Sequence, residues 1–272
     1  MVVARAVIVY QERPRRPWRL WVFTAVLVSL TIGVILGQTV AFEPNYRPTT
    51  ANAETAAVPP AVVPSAGPPS PAPVQRVSAP LGSVRSRQLE VTGASTVLRV
   101  RSADLGDRLF DIVPLDGSAV PRVTDVQQGS RLELVPTGVP GTIGAEIQLN
   151  AKVAWKLKLA GGAAEQTVDL QAGGAAGVEI AGGSARVALS LPVPKGTVPL
   201  ALKGPIGDLA ILTKPGNPVR LRLGAGAESA VVDGNTRRQV KAGTTLTPEG
   251  WRTAKNRYDL TSSGTVTSVQ VS

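Results

Sequence analysis

The chain has 272 residues, carries a net charge of +10, and contains neither cysteine nor histidine. These two absences exclude disulfide bonds, thiolate nucleophiles, serine–histidine–aspartate triads and nearly all zinc, copper and non-haem iron sites. We therefore expect no cofactor, no metal site and a non-catalytic protein whose fold depends on its apolar core.

The first 40 residues predict a membrane anchor. Residues 1–19 form a short basic segment with five arginines and one acid, Glu12, and residues 20–40 carry no charged side chain. A helix over residues 20–40 spans roughly 30 Å, the thickness of the hydrocarbon core of a bilayer. Because Glu43 and Arg47 cancel behind it, the positive-inside rule predicts a cytoplasmic N-terminus. We expect a single-pass protein of the cell membrane with an extracytoplasmic C-terminal domain.

A cleaved signal peptide is the alternative interpretation of the same residues. Small side chains at residues 39–41 and 51–53 resemble cleavage sites. The apolar run exceeds the usual ~7–15 residues of a signal peptide, which favours a retained anchor. Both interpretations place the C-terminal domain outside the cytoplasm.

Residues 41–83 predict a disordered stalk. They are rich in proline and alanine, with ten prolines between Glu43 and Pro80, and have almost no large apolar side chain. Such a segment cannot bury enough apolar surface to offset its ordering entropy. In extended polyproline conformation, at ~3.1 Å per residue, the stalk reaches on the order of 100 Å.

Residues 84–272 predict an all-β domain with an internal repeat. Short apolar stretches alternate with polar residues and turn signals. Apolar positions recur every 21 to 22 residues in three sets: Ile147, Val168, Leu189, Ala210 and Val231; Leu149, Leu170, Leu191 and Leu212; and the pairs Leu157/Leu159, Val178/Ile180, Leu200/Leu202 and Leu221/Leu223. Gly162, Gly183 and Gly204 keep this period. The repeat favours a β-solenoid, and a β-sandwich is the alternative.

The two ends of this domain repeat poorly, which is typical of terminal units with an altered face. We expect residues 84 to about 140 to form capping rungs. We also expect Trp251, Tyr258 and a strand over residues 266–271 to seal the other end. Trp155 and Trp251 are predicted to be core or cap residues.

The rung pattern, as in Val178-Glu-Ile-Ala-Gly-Gly and Val219-Arg-Leu-Arg-Leu-Gly-Ala-Gly, resembles the putative-adhesin and toast-rack-like β-repeat domains of bacterial envelope proteins. The similarity covers about residues 145–234. It implies a β-solenoid in an envelope protein and transfers no functional residue.

Outward-facing positions of the repeat predict one candidate site. Stacking of the rungs brings five cations onto one face, namely Lys156, Lys158, Lys203, Arg220 and Arg222. As a hypothesis, this basic face binds an anionic ligand. The alternative is a solvated face that Glu146, Asp169 and Asp208 partly neutralise.

Anchor, stalk and repeat together favour a non-catalytic, adhesin-like interaction or scaffold protein of the cell envelope. Its expected partners are the membrane and either an anionic cell-wall polymer or another envelope protein, and we expect no nucleic-acid binding. Two alternatives stay open: an extracytoplasmic enzyme that uses carboxylates on cell-wall polymer, and a membrane sensor or regulator.

Overall fold

The computed structural model describes residues 75–127 and 129–272, which form two β-sheets around one apolar core. These residues contain strands and turns and no helix, so the all-β prediction is confirmed. The strands are β1 (Val77–Pro80), β2 (Ser86–Thr92), β3 (Ser95–Ala103), β4 (Arg108–Pro114), β5 (Ala119–Val126), β6 (Gly129–Pro136), β7 (Gly144–Asn150), β8 (Ala154–Leu159), β9 (Ala163–Asp169), β10 (Ala175–Ile180), β11 (Ser184–Ser190), β12 (Thr197–Leu202), β13 (Ile206–Leu212), β14 (Val219–Leu223), β15 (Ala227–Val232), β16 (Asn235–Val240), β17 (Thr244–Leu246), β18 (Arg257–Ser262) and β19 (Val266–Val271).

The predicted basic segment, the predicted span over residues 20–40 and most of the predicted stalk lie outside the described residues. Between residues 75 and 272, leaving aside residue 128, no helix has the length and apolar character needed to cross a membrane. Strand β1 falls in the last part of the predicted stalk. It pairs with β4, and its Val77 and Ala79 pack against the core.

The repeating unit is a rung, in which one strand of the nine-stranded sheet is followed by one strand of the ten-stranded sheet. The rungs β8–β9, β10–β11 and β12–β13 stack in chain order with parallel pairing in both sheets. Leu157, Val178 and Leu200 align across the nine-stranded sheet, as the repeat predicted. Because alternate side chains of a strand face opposite sides, these aligned residues form continuous buried ladders.

One turn displaces the repeat in the ten-stranded sheet. Six residues connect β11 to β12, whereas five connect β9 to β10. Leu189 consequently aligns with Ile211 and not with Ala210. Ala210 and Leu212 point outward, and Leu212 is 46% exposed. Val231 also points outward, since it aligns with Gln270 as Ala210 does. Their assignment to the buried ladders was wrong because a one-residue insertion exchanges the two faces of a strand.

The rungs at both ends of the stack are out of chain order. The last rung, β18–β19, lies between β12–β13 and β14–β15 and pairs in parallel with both. The rung β2–β3 likewise lies between β6–β7 and β8–β9. Seven rungs therefore stack in the order β6–β7, β2–β3, β8–β9, β10–β11, β12–β13, β18–β19 and β14–β15.

The sequence predicted that Tyr258 and strand 266–271 seal the end of the stack, and this prediction was wrong. They lie inside it, where Tyr258 aligns with Val198 and Val219 and its hydroxyl donates to the carbonyl of Pro192 at 2.7 Å. Strand β14 leaves a gap of one strand beside β12, and β18 fills that gap. Burial raises the pKa of Tyr258, which keeps its phenol neutral.

Antiparallel strands close the ends of the two sheets. At one end β4 and β1 flank the ten-stranded sheet and β5 flanks the nine-stranded sheet, while β16 and β17 occupy the other end. The predicted cap in residues 84–140 is therefore restricted to β4 and β5, since β2–β3 is an interior rung. Arg237 and Arg238 on β16 are exposed, and charges of this kind discourage further strand pairing at an edge.

Glycines stack where each rung passes from the nine-stranded to the ten-stranded sheet. A Cβ atom built on Gly182 would lie closer than 3.0 Å to the carbonyl of Gly161, and one on Gly204 would meet the carbonyl of Gly182 in the same way. The backbone of the preceding rung thus occupies the space of the missing side chain. The predicted period paired Gly204 with Gly183, and the extra turn residue moves it to Gly182.

Gln166 places a polar side chain within the aliphatic ladders. Gln166 aligns with Leu98 and Val187, is fully buried, and neither of its amide atoms has a hydrogen-bond partner among the described residues. A buried amide without a partner costs about 1–3 kcal/mol. Trp155, also fully buried, differs because its Nε1 donates to the carbonyl of Asn150 at 3.0 Å. Its predicted place in the core is confirmed.

Replacing Gly182 with alanine is expected to lower the free energy of unfolding by about 1–3 kcal/mol or more, because the new methyl group meets backbone that cannot move without opening the rung stack. Gly117→Ala is the matched control, since no atom lies within 4 Å of a Cβ there. Chemical denaturation measures both variants. Equal stability of the two would contradict the close approach of the rungs.

Gln166→Leu is expected to raise the free energy of unfolding by about 1–3 kcal/mol, because it removes two buried polar atoms that lack partners. The same substitution at the exposed Gln171 serves as the control and should stay within about 0.5 kcal/mol of the parent. Denaturant unfolding followed by circular dichroism checks this, and destabilisation by Gln166→Leu would mean that the amide has a stabilising partner.

Candidate functional site

All five predicted cations lie on the outer face of the nine-stranded sheet or at its border. Lys156 and Lys158 are on β8, Lys203 directly follows β12, and Arg220 and Arg222 are on β14. Strands β10, β12 and β18 separate β8 from β14. At about 4.8 Å per strand, the two lysines of β8 are roughly 19 Å from the arginines of β14. The five cations therefore share a face without forming one contiguous patch.

Near strands β2, β6 and β8, acidic side chains alternate with the cations of this face. The Lys158 ammonium lies 2.8 Å from one carboxylate oxygen of Glu90, and the Arg131 guanidinium lies 3.0 Å from the other. The hydrogen bond from Lys158, helped by Arg131, holds the pKa of Glu90 below its usual value. The same contact raises the pKa of Lys158. Lys203 is similarly paired with Glu179 at 2.9 Å.

At the other end Asp259 binds both arginines of β14. Arg220 donates to its two carboxylate oxygens at 2.9 and 2.5 Å, and Arg222 donates to one of them at 3.2 Å. The bidentate contact with Arg220 lowers the pKa of Asp259, and burial opposes this effect only in part. Asp259 faces β14 because β18 is inserted beside it.

Trp251 packs on this charged cluster. The guanidinium carbons of Arg220 and Arg257 lie 3.6 and 4.2 Å from the centre of its ring, and its Nε1 donates to the carbonyl of Tyr258 at 2.8 Å. The ring is buried against the outer side of the sheet. Trp251 is thus neither a residue of the inter-sheet core nor an end cap, and it fastens the loop before β18 through cation–π contacts.

The acids that neutralise this face differ from those predicted. Glu146, Asp169 and Asp208 belong to the ten-stranded sheet, where Glu146 lies 2.7 Å from Arg101 and Asp208 accepts a hydrogen bond from Ser268. Glu90 and Asp259 occupy the predicted role instead, together with Glu179, which the repeat places on the same face. No spacing within the repeat could identify Glu90 and Asp259, because both lie on the rungs that are inserted out of chain order.

Lys156 differs from the other four cations, since it makes no ion pair within the part of the chain that the structure describes. Its side chain is exposed beside a shallow depression of about 290 Å³. Gly177, Ala201 and Pro199 form much of the floor and rim, and the absence of a side chain at Gly177 deepens it. This depression and Lys156 are the part of the predicted face that is open to a ligand.

Hydrogen bonds favour the charged form of several described carboxyl groups. The described acidic groups with a clearly shifted pKa are Glu90, Asp104, Asp116 and Asp259, and in each case hydrogen bonds lower the pKa. A carboxyl group that acts as a general acid near neutral pH needs a raised pKa. Within residues 75–127 and 129–272, no group of three or more acidic side chains is placed to hold a metal ion.

Comparison with known proteins gives structural neighbours of low sequence identity. One is described as a putative cell adhesion protein from Clostridium sporogenes ATCC 15579; it is 14% identical, has a TM-score of 0.47, and the match covers 75% of this chain and 100% of that one. Another is described as a putative adhesin from Bacteroides fragilis NCTC 9343, with 7% identity, a TM-score of 0.19, and coverage of 74% and 99%. Both names are of the kind that the sequence resemblance indicated. No protein-family model and no curated protein matches the sequence.

Replacing Asp259 with asparagine is expected to lower the free energy of unfolding at pH 7 by about 2 kcal/mol, since charge-assisted hydrogen bonds to Arg220 and Arg222 are lost. The folded-state pKa of Asp259 is lowered, so its contribution is complete above the unfolded value of 3.8 and disappears as the pH falls through the folded value. The loss caused by the substitution should shrink in the same pH range.

Glu228→Gln, at an exposed acid of β15, is the control for that experiment. Thermal unfolding between pH 7 and about pH 2 measures both variants. A destabilisation by Asp259→Asn that stays constant down to the lowest pH would show that the carboxylate charge does not hold the cluster together.

Proposed function

We propose that the protein is a single-pass membrane protein of the cell envelope, which displays a non-catalytic, adhesin-like β-solenoid on a proline-rich stalk. Its C-terminal domain is extracytoplasmic and holds an anionic cell-wall polymer, or another envelope protein, on the outer face of the nine-stranded sheet. The observation that carries this proposal is the stack of seven rungs that follows a sequence with the pattern of an anchor and a stalk.

The position of β2 supports a role in which the domain resists pulling. Strand β2 comes soon after the predicted stalk and is hydrogen-bonded on both sides, to β6 and to β8. A force along the strand must break both ladders together, whereas the short edge strand β1 can detach first. A domain that tethers a partner to a membrane benefits from this arrangement.

The charge pattern supports binding without catalysis. Glu90, Glu179 and Asp259 on the outer face are bound to lysine or arginine, and the pKa values of Glu90 and Asp259 are lowered. Anionic polymer is the favoured partner because Lys156 leaves a positive charge beside an open depression. Lys158, Lys203, Arg220 and Arg222 contribute the surrounding positive potential.

Protease added to intact cells is expected to degrade residues 75–272 and to spare a cytoplasmic marker protein. Where an outer membrane is present, spheroplasts replace intact cells. An epitope at the N-terminus should be protected until the membrane is permeabilised, because the arginines before residue 20 favour the cytoplasmic side. Protection of the C-terminal domain in cells whose outer layers are open would overturn the proposed location.

The purified full chain is expected to bind isolated cell wall and to leave its glycan and peptide bonds intact. Sedimentation with cell-wall sacculi measures binding, and release of soluble sugar or peptide measures turnover. Release that disappears when an acidic pair is replaced by amides would identify an enzyme in place of the proposed binding protein.

A further inference from the structure

A second cavity lies at the edge of the stack, where chain segments pass back from the ten-stranded to the nine-stranded sheet. It has a volume of about 400 Å³ and is lined by the segments that precede β2, β8, β10 and β12. We call it the edge pocket. Its lining residues include Arg85, Lys152 and Lys195, and no acidic side chain lines it.

The three cations come from different parts of the chain and meet through the stacking of the rungs. Arg85 precedes β2, Lys152 precedes β8 and Lys195 precedes β12. Because β2, β8, β10 and β12 are neighbours in that order, these cations spread over roughly 15 Å along the edge. All three side chains are exposed. The 21-residue repeat does not predict this cluster, since the cations occupy non-equivalent positions of their turns.

Lys152 is the one member of the edge pocket with an ion pair among the described residues, at 3.1 Å from Asp104. Both side chains are more than half exposed, and an ion pair in that situation contributes little to stability. A ligand anion can therefore replace Asp104 at little cost. Val193, which is 51% exposed, and Pro192 add an apolar wall to the cavity.

The edge pocket lies beside the starts of the same strands that line the depression beside Lys156, and the depression is also lined by Glu179, the partner of Lys203. The same four strands line both cavities: Arg85 and Gln88 flank the start of β2, Ala154 and Lys156 lie on β8, Ala175 and Gly177 lie on β10. On β12, Lys195 precedes the strand and Pro199 lies on it. Lys152 lies in the turn before β8 and Lys156 is the third residue of that strand, so one chain segment carries a cation at each cavity. Small residues at 175–177 keep the surface between the two cavities low.

We propose that the edge pocket and the depression form one track for a linear polyanion, which enters at Arg85, Lys152 and Lys195 and runs along the strands to Lys156. A chain with repeated phosphate or carboxylate groups fits, because the charges are spread over a distance that a single small anion cannot bridge. The apolar wall at Val193 suits a ligand whose charges are carried on a sugar or polyol backbone. This proposal deepens the proposed binding to cell-wall polymer and rests on it.

Titration of the purified full chain in detergent with sodium polyphosphate and with polygalacturonate tests the track, and the two polymers distinguish phosphate from carboxylate as the anionic group. The triple variant Arg85→Gln, Lys152→Gln, Lys195→Gln is expected to weaken binding at least about tenfold, and Lys156→Gln should weaken it further. Monomeric phosphate at the same charge concentration should not compete. Thermal unfolding verifies that each variant is folded.

The matched control is the triple variant Arg237→Gln, Arg238→Gln, Lys241→Gln, which removes the same charge from the exposed edge at β16. It should change affinity less than about twofold, since long-range attraction between exposed charges is screened by salt. Equal losses in the two triple variants, or binding unaffected by the edge-pocket variant, would overturn the track while leaving the proposed envelope function standing. Failure of both polymers to bind would overturn the track and the anionic partner together.

Discussion

The close approach of consecutive rungs is the constraint on which the rest of this structure depends. Parallel strands about 4.8 Å apart leave no room for a side chain where the chain crosses between the sheets. Gly161, Gly182, Gly204 and Gly264 occupy that crossing in successive rungs, and the carbonyl of the adjacent rung lies where a Cβ would be. This contact holds the aliphatic ladders in register, so the domain builds a continuous core without disulfides and with few aromatic residues.

The same register lets distant segments complete the stack. Rungs β2–β3 and β18–β19 are inserted between rungs that come later or earlier in the chain, and each makes two parallel ladders in each sheet. Strands β2, β3, β18 and β19, which lie near the two ends of the described chain, are therefore interior strands. Contacts of such large sequence separation form slowly, because the entropic cost of closing a long loop arises before the ladders can stabilise it. The inserted last rung also creates the Trp251 cluster on the outer face.

The insertion decides how charge is distributed on that face. Glu90 and Asp259 arrive on the inserted rungs and bind Lys158, Arg220 and Arg222, which leaves much of the positive potential locally compensated. The cavities on this side of the domain lie in a band along β2, β8, β10 and β12. Lys156 lies on the face of the sheet within this band, and Arg85, Lys152 and Lys195 lie at its edge. The positive charge on this face thus follows a narrow band and does not cover the sheet uniformly.

The sequence by itself determined the all-β character, the pairing of the central rungs and the burial of Trp155, because these follow from alternation and spacing along the chain. It placed Lys156, Lys158, Lys203, Arg220 and Arg222 on one face for the same reason. It misassigned Ala210 and Leu212, since one extra turn residue before β12 changes which side chains of β13 face the core. Only the tertiary structure decided which acids neutralise the face, that Tyr258 lies inside the stack, and that Arg85, Lys152 and Lys195 meet. Those relations depend on which rung lies beside which, and a local period carries no information about insertion out of chain order.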